Sequence, residues 1–387
     1  MIRRIITAVL SLSLIAGAAV PVVCTDKVSA SDVVSYSSDS VYNEKVLEMR
    51  GHFLNRDKEF SIEFPSEIYS GFDDLRLIIS DAVTENGNPI GGDYLKKNCG
   101  SMSYTSYTGI DSTTVKMKVN YYTTAEQEAE LSEKVADIIA SLDFGGGSDY
   151  EKTKAIYEYI KNNVVYADSF DDDLIFTAYG AGVNGVAVCQ GYSVLLYRML
   201  MEVGVNCRIL PGTAAGGSHL WNMAEIDGIY YLMDVTFDST VGMEKNLFFL
   251  RGTEDFDEFR PDAAHKFDVS SYEDIPLYYE FTRGSDFLSR FDISPTAYDP
   301  ASPPVLKANM YGDANNDGKV EIADATLILQ YLTNKDEYSL SARGRLNADV
   351  IGNDGVTAND GVTANDALVI QQVDAGIYTI DDLPLNE

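Results

Sequence analysis

The chain has 387 residues, and its 29 Lys and Arg against 60 Asp and Glu give a formal net charge of −31. Its length predicts two or three domains. So acidic a chain repels phosphate backbones and anionic lipid head groups, which argues against nucleic acid and membrane surfaces as partners. The chain is 45% hydrophobic and 11% aromatic, so it can bury a sizeable core. Four cysteines are too few for a disulfide-stapled scaffold.

The first thirty residues have the composition of an export signal. Two arginines precede the uncharged apolar run Ile5–Val23, and Val28-Ser29-Ala30 is a small-residue cleavage site. This is the three-part pattern of a secretory signal peptide. We expect residues 1–30 to be removed and the mature protein to be secreted, extracellular and free of the membrane. The alternatives are a lipoprotein anchored at Cys24 and a retained membrane anchor.

Residues 41–144 are predicted to form a strand-rich region with one helix. Apolar and polar residues alternate over Thr113–Tyr122, which is typical of a half-buried strand. Ala125–Leu142 has apolar residues at helical spacing, and Thr123 with Glu126 forms the pattern of a capping box at its start. The glycines at 145–147 end this region.

Residues 148–280 are predicted to form a second domain. Ser148 and Glu151 indicate a capping box, and the helix that follows is expected to bury Ile156, Tyr159, Ile160 and Val164. Another helix begins near Cys189 and ends at Gly204, a plausible C′ glycine. Three strands follow, over Cys207–Leu210, His219–Ile226 and Ile229–Val235, and Asp227-Gly228 between the last two is a hairpin turn signal.

Three residues of this domain form a candidate catalytic set. Cys189 stands at the start of a helix, where unpaired backbone N–H groups and the helix dipole stabilise a thiolate. His219, on a neighbouring strand, can take the thiol proton and later deliver it to a leaving amine. Asp234, on the antiparallel partner strand, can hold the other imidazole nitrogen and fix the tautomer.

The motifs around these residues resemble the transglutaminase-like superfamily, whose members are related to papain-type cysteine peptidases. They read Cys-Gln-Gly-Tyr from Cys189, His-Leu-Trp-Asn from His219 and Asp-Val-Thr from Asp234, and the resemblance covers about Tyr150–Asp238. It implies an α+β fold in which the catalytic Cys helix packs on an antiparallel sheet. It also implies that Cys189 is the nucleophile, His219 the base and Asp234 the group that orients the base.

The oxyanion donor is left open by the resemblance. Papain-type enzymes use a Gln about six residues before the Cys, a place that Val183 takes here. Asn184 or Tyr179 could replace it, with the backbone N–H of Cys189 as the second donor.

The remaining cysteines and histidines have ordinary structural interpretations. Cys99 and Cys207 are expected to be buried small hydrophobes, with a disulfide between them as the alternative. His265 is expected to be structural or at the rim of the site, and Trp221 to pack behind the catalytic histidine. His52 is expected on the surface or in the core of the first region.

Proline-rich composition separates a C-terminal region from the rest. Four of the chain's 11 prolines lie between Pro295 and Pro304, so residues 292–309 are predicted to form an extended linker. Beyond it, the twelve residues Asp313–Asp324 have oxygen ligands at positions 1, 3, 5 and 12 and a turn glycine at position 6. This is the spacing of an EF-hand calcium loop. The predicted Ca²⁺ ligands are Asp313, Asn315, Asp317, the carbonyl of Lys319 and Asp324.

A second loop repeats the first with a stretched register. Six residues, Gly355–Asp360, recur unchanged as Gly361–Asp366, and Ile351 stands where an oxygen ligand is expected. The helix that repeats the first copy's sequence is predicted to begin after Asp366. The candidate ligands are Asp349, Asn353, Asp354 and either Asp360 or Asp366, and the sequence leaves that choice open.

Two such loops, each followed by a short helix, resemble a type I dockerin over about Tyr311–Ile380, within a predicted domain of residues 311–387. The resemblance implies calcium as the cofactor and a scaffoldin cohesin module of a cellulosome as the partner. It also implies that cohesin contacts come from the late loop positions and the following helices. These are Ile322, Ala323, Leu327 and Gln330 in the first copy and Ala364, Asn365 and Val369 in the second.

Together these features predict a secreted, cellulosome-associated thiol enzyme that hydrolyses amide or peptide bonds of a protein or peptide substrate. Catalysis would need no cofactor. An amine in place of water would make it a cross-linking acyltransferase. The alternatives are a non-catalytic binding or structural module of the cellulosome and a glycoside hydrolase. The last ranks low because no paired-carboxylate motif is evident.

Overall fold

The computed structural model describes residues 5–6, 40–240, 245–283, 287–333, 338, 340–351 and 361–385. The signal-peptide prediction therefore lies outside the described residues, apart from a two-residue strand, β1 (Ile5–Ile6). Cys24 and the loop residues Asn353, Asp354 and Asp360 also lie outside them. Within the described residues, no helix combines the length and apolar composition needed to cross a bilayer.

The first region is richer in helix than its sequence suggests. It contains the helices α1 (Ser40–Leu54), α2 (Phe72–Ala82), α3 (Gly92–Asn98) and α4 (Ala125–Ser141), and the strands β2 (Glu59–Pro65), β3 (Cys99–Thr108) and β4 (Ser112–Tyr121). The prediction of a single helix was therefore wrong. In α3 all seven residues are buried although Asp93, Lys96 and Lys97 are charged, so no apolar periodicity marks this helix.

The predicted strand and helix of this region are confirmed, with one correction. In β4, Thr113, Val115, Met117 and Val119 are buried on one face, and β4 lies between β3 and β2 in an antiparallel sheet. The capping box of α4 is formed by Thr124 and Gln127, one residue later than predicted. Thr123 is buried instead, and its hydroxyl donates to Asn98 Oδ1 at 3.0 Å.

The second region is built on a four-stranded antiparallel sheet of order β10-β7-β8-β9. Its elements are α5 (Asp149–Asn163), β5 (Val165–Tyr166), β6 (Val186–Ala187), α6 (Cys189–Glu202), β7 (Cys207–Ala214), β8 (Gly217–Ile226), β9 (Ile229–Met233), α7 (Val235–Thr240), β10 (Lys266–Phe267) and α8 (Tyr279–Thr282). Helix α6 packs on β7 and β8. The fold is thus a mixed α+β fold.

Local signals of this region are confirmed with one exception. Ser148 and Glu151 form the capping box of α5, and the turn at Asp227 and Gly228 has positive φ at both residues, 51° and 80°, as a type I′ hairpin requires. On α5, however, Tyr157 is fully buried and Tyr159 only half-buried. The hydroxyl of Tyr157 explains this, because it donates into the protein interior.

The two regions share one hydrophobic core. Ile62 and Val115, from the sheet of the first region, belong to the same apolar cluster as Leu210 and Met223, from the sheet of the second. The glycine run at 145–147 therefore separates two stretches of sequence that pack against one another.

The predicted linker is shorter than residues 292–309. The Ser294 N–H donates to Tyr230 O in β9 at 2.9 Å, and the Tyr298 N–H donates to Leu250 O at 2.9 Å, so the first part of this stretch is fixed to the second region. The Tyr298 ring also stacks on Tyr150, with centroids 5.1 Å apart. Aromatic burial and backbone hydrogen bonds thus outweigh the extended tendency of the prolines.

The C-terminal region is a small helical unit with its own core. It contains α9 (Ile322–Thr333), α10 (Ala342–Ala348) and α11 (Ala364–Asp374). The repeated sequence packs on itself, because Ala325 and Ile328 of α9 and Ala367 and Ile370 of α11 belong to the same buried cluster.

Candidate active site

Glycine and backbone geometry place Cys189 at the first position of α6. Val188 precedes the helix in an extended conformation, and its N–H donates to Ile175 O at 3.0 Å. A Cβ atom at Gly191 would lie 2.6 Å from Ile175 O and 2.7 Å from the Ala187 side chain. The glycine two residues after the cysteine therefore lets the segment that carries Ile175 pack directly against the start of the helix.

Side-chain hydrogen bonds fix α6 against β8. The Ser193 hydroxyl donates to Leu220 O at 3.0 Å, and the Asn222 amide donates to Ser193 O at 3.0 Å and to Arg208 O at 3.3 Å. These groups come from the motifs that follow Cys189 and His219. Their role is to hold the cysteine end of the helix in register with the histidine end of the strand.

His219 and Asp234 are in direct contact. The His219 Nε2 and Asp234 Oδ2 atoms are 2.7 Å apart, and both side chains are buried. Asp234 lies one residue beyond β9, and its Oδ1 accepts the Phe237 N–H at 3.0 Å. The Tyr157 hydroxyl donates to Asp234 O at 2.9 Å. Asp234 is thus held through its side chain and its main chain, while Nδ1 of His219 remains available to the Cys189 sulfur.

The electrostatics favour a protonated imidazole beside an ionised carboxylate. Burial lowers the pKa of His219, but the charge and hydrogen bond of Asp234, with a smaller contribution from a hydrogen bond to Cys189, outweigh it and raise this pKa to about 10. Burial would raise the pKa of Asp234, but His219 and His265 hold it well below its usual range. An imidazolium that faces a thiol favours the thiolate.

His265 contacts the same carboxylate, although the sequence analysis placed it only as structural or at the rim. Its Nε2 lies 3.0 Å from Asp234 Oδ2, and its Nδ1 lies 2.6 Å from Asp257 Oδ1. Within the described part of the chain, His219, Asp234 and His265 form the one group of three side chains whose ligand atoms are close enough to hold a metal ion. Hydrogen bonds between them account for the arrangement without one.

The two side chains considered on sequence as oxyanion donors have other surroundings. The Tyr179 hydroxyl donates to Glu130 Oε2 at 2.7 Å, and Asn184 is exposed. Tyr166 instead places its hydroxyl beside the backbone N–H of Cys189. Burial raises the pKa of Tyr166, and this N–H opposes the rise. Tyr166 lies 23 positions before the cysteine, in the short strand β5, so no motif spacing marked it.

A buried lysine of the first region also approaches the site. Lys97 has its Nζ 4.5 Å from the centroid of the Tyr278 ring and 5.2 Å from that of Tyr272. The Gln190 side chain, next to Cys189, donates to Lys97 O at 3.3 Å. Burial lowers the pKa of Lys97 to about 7, against the opposing charges of Asp93 and Cys189. Helix α3 of the first region thus borders α6.

The other residues considered on sequence have structural roles. Cys99 and Cys207 are buried free cysteines, so the alternative of a disulfide between them does not hold. Burial raises the pKa of the Cys99 thiol to about 12. The Trp221 ring is buried and stacks on His219, as predicted. His52 pairs with Asp57 in the first region.

A comparison with known families bears directly on this site. Residues 136–235 match the family model described as the transglutaminase-like superfamily, and the matched segment contains Cys189, His219 and Asp234. The chain contains a transglutaminase-like domain. No curated protein sequence matches the chain.

Two solved structures show a weak likeness. A crystal structure of a TGase is 16% identical over 48% of this chain and 56% of its own, with a TM-score of 0.26. A candidate cysteine protease from Cytophaga hutchinsonii is 12% identical over 46% of this chain and 67% of its own, with a TM-score of 0.23. The chain thus spans little more than half of the first structure, and TM-scores this low carry no argument about either the fold or the activity.

Outside the transglutaminase-like domain, the first acidic loop has two of its carboxylates turned inward. Asp313 and Asp324 are buried, and the Asp313 oxygens accept the N–H groups of Asp317 and Gly318, each at 3.0 Å. Burial raises the pKa of Asp313 and Asp324, and the neighbouring carboxylates add to it. Oxygen donors around a glycine turn are the ligand types of a hard divalent cation. The carboxylate oxygens of this loop are, however, not as close together as the ligand atoms of His219, Asp234 and His265. Asn315 and Lys319 lie in the same loop, at the predicted ligand positions.

In the second loop, Asp366 has hydrogen bonds that can be compared with those of Asp324 in the first. Asp324 Oδ1 accepts the N–H of the third loop residue, Asn315, at 3.1 Å. Asp366 Oδ1 accepts the N–H of Ile351, the third residue counted from Asp349, also at 3.1 Å. Asp366 therefore has the place in the second copy that Asp324 has in the first, and Asp349, like Asp313, is buried.

The predicted cohesin-contact residues divide into surface and core. Ile322, Ala323, Ala364 and Asn365 are exposed, and Leu327 and Gln330 are half-buried. Val369 is only 6% exposed and packs in the core of the C-terminal unit, so this assignment was wrong. Leu368, one residue earlier, is 51% exposed and takes its place on the surface of α11.

Proposed function

We propose that the transglutaminase-like domain is a thiol acyl-transfer enzyme that cleaves amide or peptide bonds through Cys189, His219 and Asp234. The observation that carries the proposal is the 2.7 Å contact between His219 and Asp234, made beside a cysteine at the N-terminus of a helix. This is the arrangement that nucleophilic thiol catalysis needs: a thiolate, an acid-base group in reach and a carboxylate that orients it.

Each residue has a defined role in the proposed reaction. The Cys189 sulfur attacks the amide carbonyl while His219 holds the thiol proton, and the C–N bond breaks as that proton passes to the departing amine. Asp234 keeps Nε2 of His219 hydrogen-bonded, so that Nδ1 faces the sulfur. The oxyanion is held by the backbone N–H of Cys189 and the Tyr166 hydroxyl, which lies beside it.

The thioester formed in this way is resolved by an acceptor. Water, deprotonated by His219, gives hydrolysis, and a primary amine gives a cross-link. We favour hydrolysis, because water is the default acceptor and no feature of the domain marks an amine site. The proposed substrate is a protein or peptide.

The test compares full-length protein with Cys189→Ala on a complex mixture of unfolded proteins, with and without a primary amine. Mass spectrometry would count new peptide termini, deamidated side chains and incorporated amine. Loss of all three classes of product in Cys189→Ala, with Cys99→Ala fully active as the matched thiol control, would support the proposal. Equal product patterns for wild type and Cys189→Ala would instead favour the non-catalytic module.

We further propose that residues 311–387 are a calcium-binding dockerin that attaches the enzyme to a cohesin module of a cellulosome. The inward-turned carboxylates of Asp313 and Asp324 and the matching position of Asp366 support a paired-loop arrangement. The exposed residues Ile322 and Leu368 offer apolar surface on the two repeat helices. Calcium would order the loops, and the helices would supply the contacts with cohesin.

Export is part of the same proposal. An enzyme that joins a cellulosome must be secreted, and the pattern of residues 1–30 supports removal of a signal peptide. Mass spectrometry of the protein from culture medium should show an N-terminus at Ser31. A lipid-modified species that starts at Cys24 would place the protein on the membrane instead.

A further inference from the structure

The imidazole of His265 lies between two carboxylates. Its Nδ1 is 2.6 Å from Asp257 Oδ1 and its Nε2 is 3.0 Å from Asp234 Oδ2. A neutral imidazole has one N–H donor and one lone pair, so it can donate to only one of these partners. Its other nitrogen would then direct a lone pair at a carboxylate oxygen. With both carboxylates ionised, both contacts are hydrogen bonds only if both nitrogens carry protons, which requires an imidazolium.

The surroundings of His265 keep this ion pair out of water. The side chain is 2% exposed and lies against the rings of Trp221, Phe237, Phe248 and Phe256, with centroids 4.4 to 6.0 Å away. The charged groups that face it are Asp234, Asp257 and His219, whose ring centroid is 5.5 Å away. The Arg260 guanidinium lies behind Phe237, 5.7 Å from that ring's centroid.

Asp257 anchors the imidazole through two separate contacts. Its Oδ1 faces the ring, and its Oδ2 accepts the backbone N–H of His265 at 3.0 Å. Burial lowers the pKa of His265, but hydrogen bonds and charges from Asp234 and Asp257 outweigh it and raise this pKa.

We propose that His265 is a protonated positioning residue that orients Asp234 and shares its negative charge with His219. The proposal rests on the thiol chemistry proposed above. Asp234 Oδ2 accepts from both rings, so its attraction for the His219 proton is weaker than that of a carboxylate dedicated to one imidazole. His219 can then release its proton to the departing amine more readily. The second cation also adds to the positive potential around the thiolate.

The protonation state can be measured directly in the full-length protein. The chain has only three histidines, so their ring ¹⁵N resonances can be assigned with His52→Gln and His265→Gln. We expect both ring nitrogens of His265 to be protonated from pH 6 to pH 8. A neutral His265 ring at pH 7 would overturn the proposal. This readout does not depend on turnover, so it stands even if no acyl-transfer activity is found.

Two variants test the effect of His265 on the site. His265→Gln keeps a donor for Asp234 without the charge, and it should move the pH profile of Cys189 alkylation by iodoacetamide upward by about half a pH unit or more. Asp257→Asn keeps the shape of the side chain, which is 28% exposed, but removes its charge. It should therefore lower the pH at which His265 loses its proton by about one unit or more.

His52→Gln is the matched control, because His52 also pairs with an aspartate, at 2.7 Å, but in the first region. It should leave the alkylation profile unchanged. If His265→Gln does not fold, Asp257→Asn carries the test through the ring resonances of His265. A uniform loss of alkylation rate without any shift of the profile would mean a purely structural role and would overturn the proposal.

Discussion

Replacing Arg208 with Met should destabilise the folded chain by about 3–5 kcal/mol at pH 7. Arg208 donates to Asp93 at 2.8 and 3.2 Å and to Glu280 at 3.1 Å, and Lys96 lies 2.9 Å from Asp93 and also pairs with Glu280. All four side chains are at most 8% exposed. Without Arg208, the buried carboxylates of Asp93 and Glu280 would share the single cation of Lys96. The unmatched negative charge determines how much the free energy of unfolding falls.

The loss should depend on pH in a defined direction. Burial would raise the pKa of Asp93 and Glu280, but Arg208 and Lys96 outweigh it and hold both below their ordinary values. A depressed carboxyl pKa adds stability above the unfolded value of about 4, and that stability is lost as the pH falls through the folded value. Without Arg208 these carboxyl groups take up protons in the folded state more readily. The difference between variant and wild type should therefore be largest near pH 7 and smaller near pH 4.5.

The assay is urea unfolding of the full-length protein, followed by the fluorescence of its single tryptophan, Trp221, which is 3% exposed. Arg283→Met is the matched control, because Arg283 pairs with Asp81 at 3.2 Å with both side chains about a third exposed, 35% and 29%. It should cost at most about 1 kcal/mol. If Arg208→Met lost less than about 1 kcal/mol at pH 7, or the same amount at both pH values, the reasoning from unmatched buried charge would be refuted.

Three further predictions follow from the sites. Iodoacetamide should alkylate Cys189 at pH 6 much faster than it alkylates a model thiol. His219→Ala should slow this alkylation at least about tenfold, because the imidazolium that favours the thiolate is gone. Equal alkylation rates for wild type and His219→Ala would contradict the proposed roles of Cys189 and His219. Tyr166→Phe should lower kcat/KM by about 10²-fold or more with little change in alkylation, as expected for a lost oxyanion donor; unchanged kcat/KM would exclude that role. Asp313→Ala should abolish calcium binding by the first loop in titration calorimetry and weaken cohesin binding, because this loop has its ligands in EF-hand register, whereas Asp366→Ala should affect only the second site. Intact cohesin binding in Asp313→Ala would show that the first loop is not the main one.

Features decided within a few residues could be predicted from the sequence. The Asp227-Gly228 turn follows from the backbone conformations that these two residue types tolerate, and the Ser148–Glu151 cap from hydrogen bonds within one helical turn. The start of a helix at Cys189 was likewise predictable. So was the contact of His219 with Asp234, because a hairpin brings neighbouring strands together. Where two local solutions compete, as at Thr123 and Thr124, tertiary contacts decide.

Features that depend on distant partners could not be predicted. The heptapeptide Gly92–Asn98 contains charged residues that a sequence pattern assigns to the surface, yet Asp93 meets Arg208 115 residues further along the chain. His265 reaches the site through contacts with Asp234 and Asp257, which come from separate segments. No spacing rule connects such residues, because the fold alone sets the distances between them.

The buried charge cluster of Asp93, Lys96, Arg208 and Glu280 also governs the order in which the molecule can assemble. The cluster closes over 184 residues, from Lys96 to Glu280. Closing so long a loop lowers the chain entropy before any favourable contact has formed, so such contacts form slowly. If α3 packed before Glu280 was in place, Asp93 and Lys96 would lose their hydration without their full set of partners. Because α3 also borders Gln190, next to Cys189, we expect the site around Cys189 to be completed late in folding.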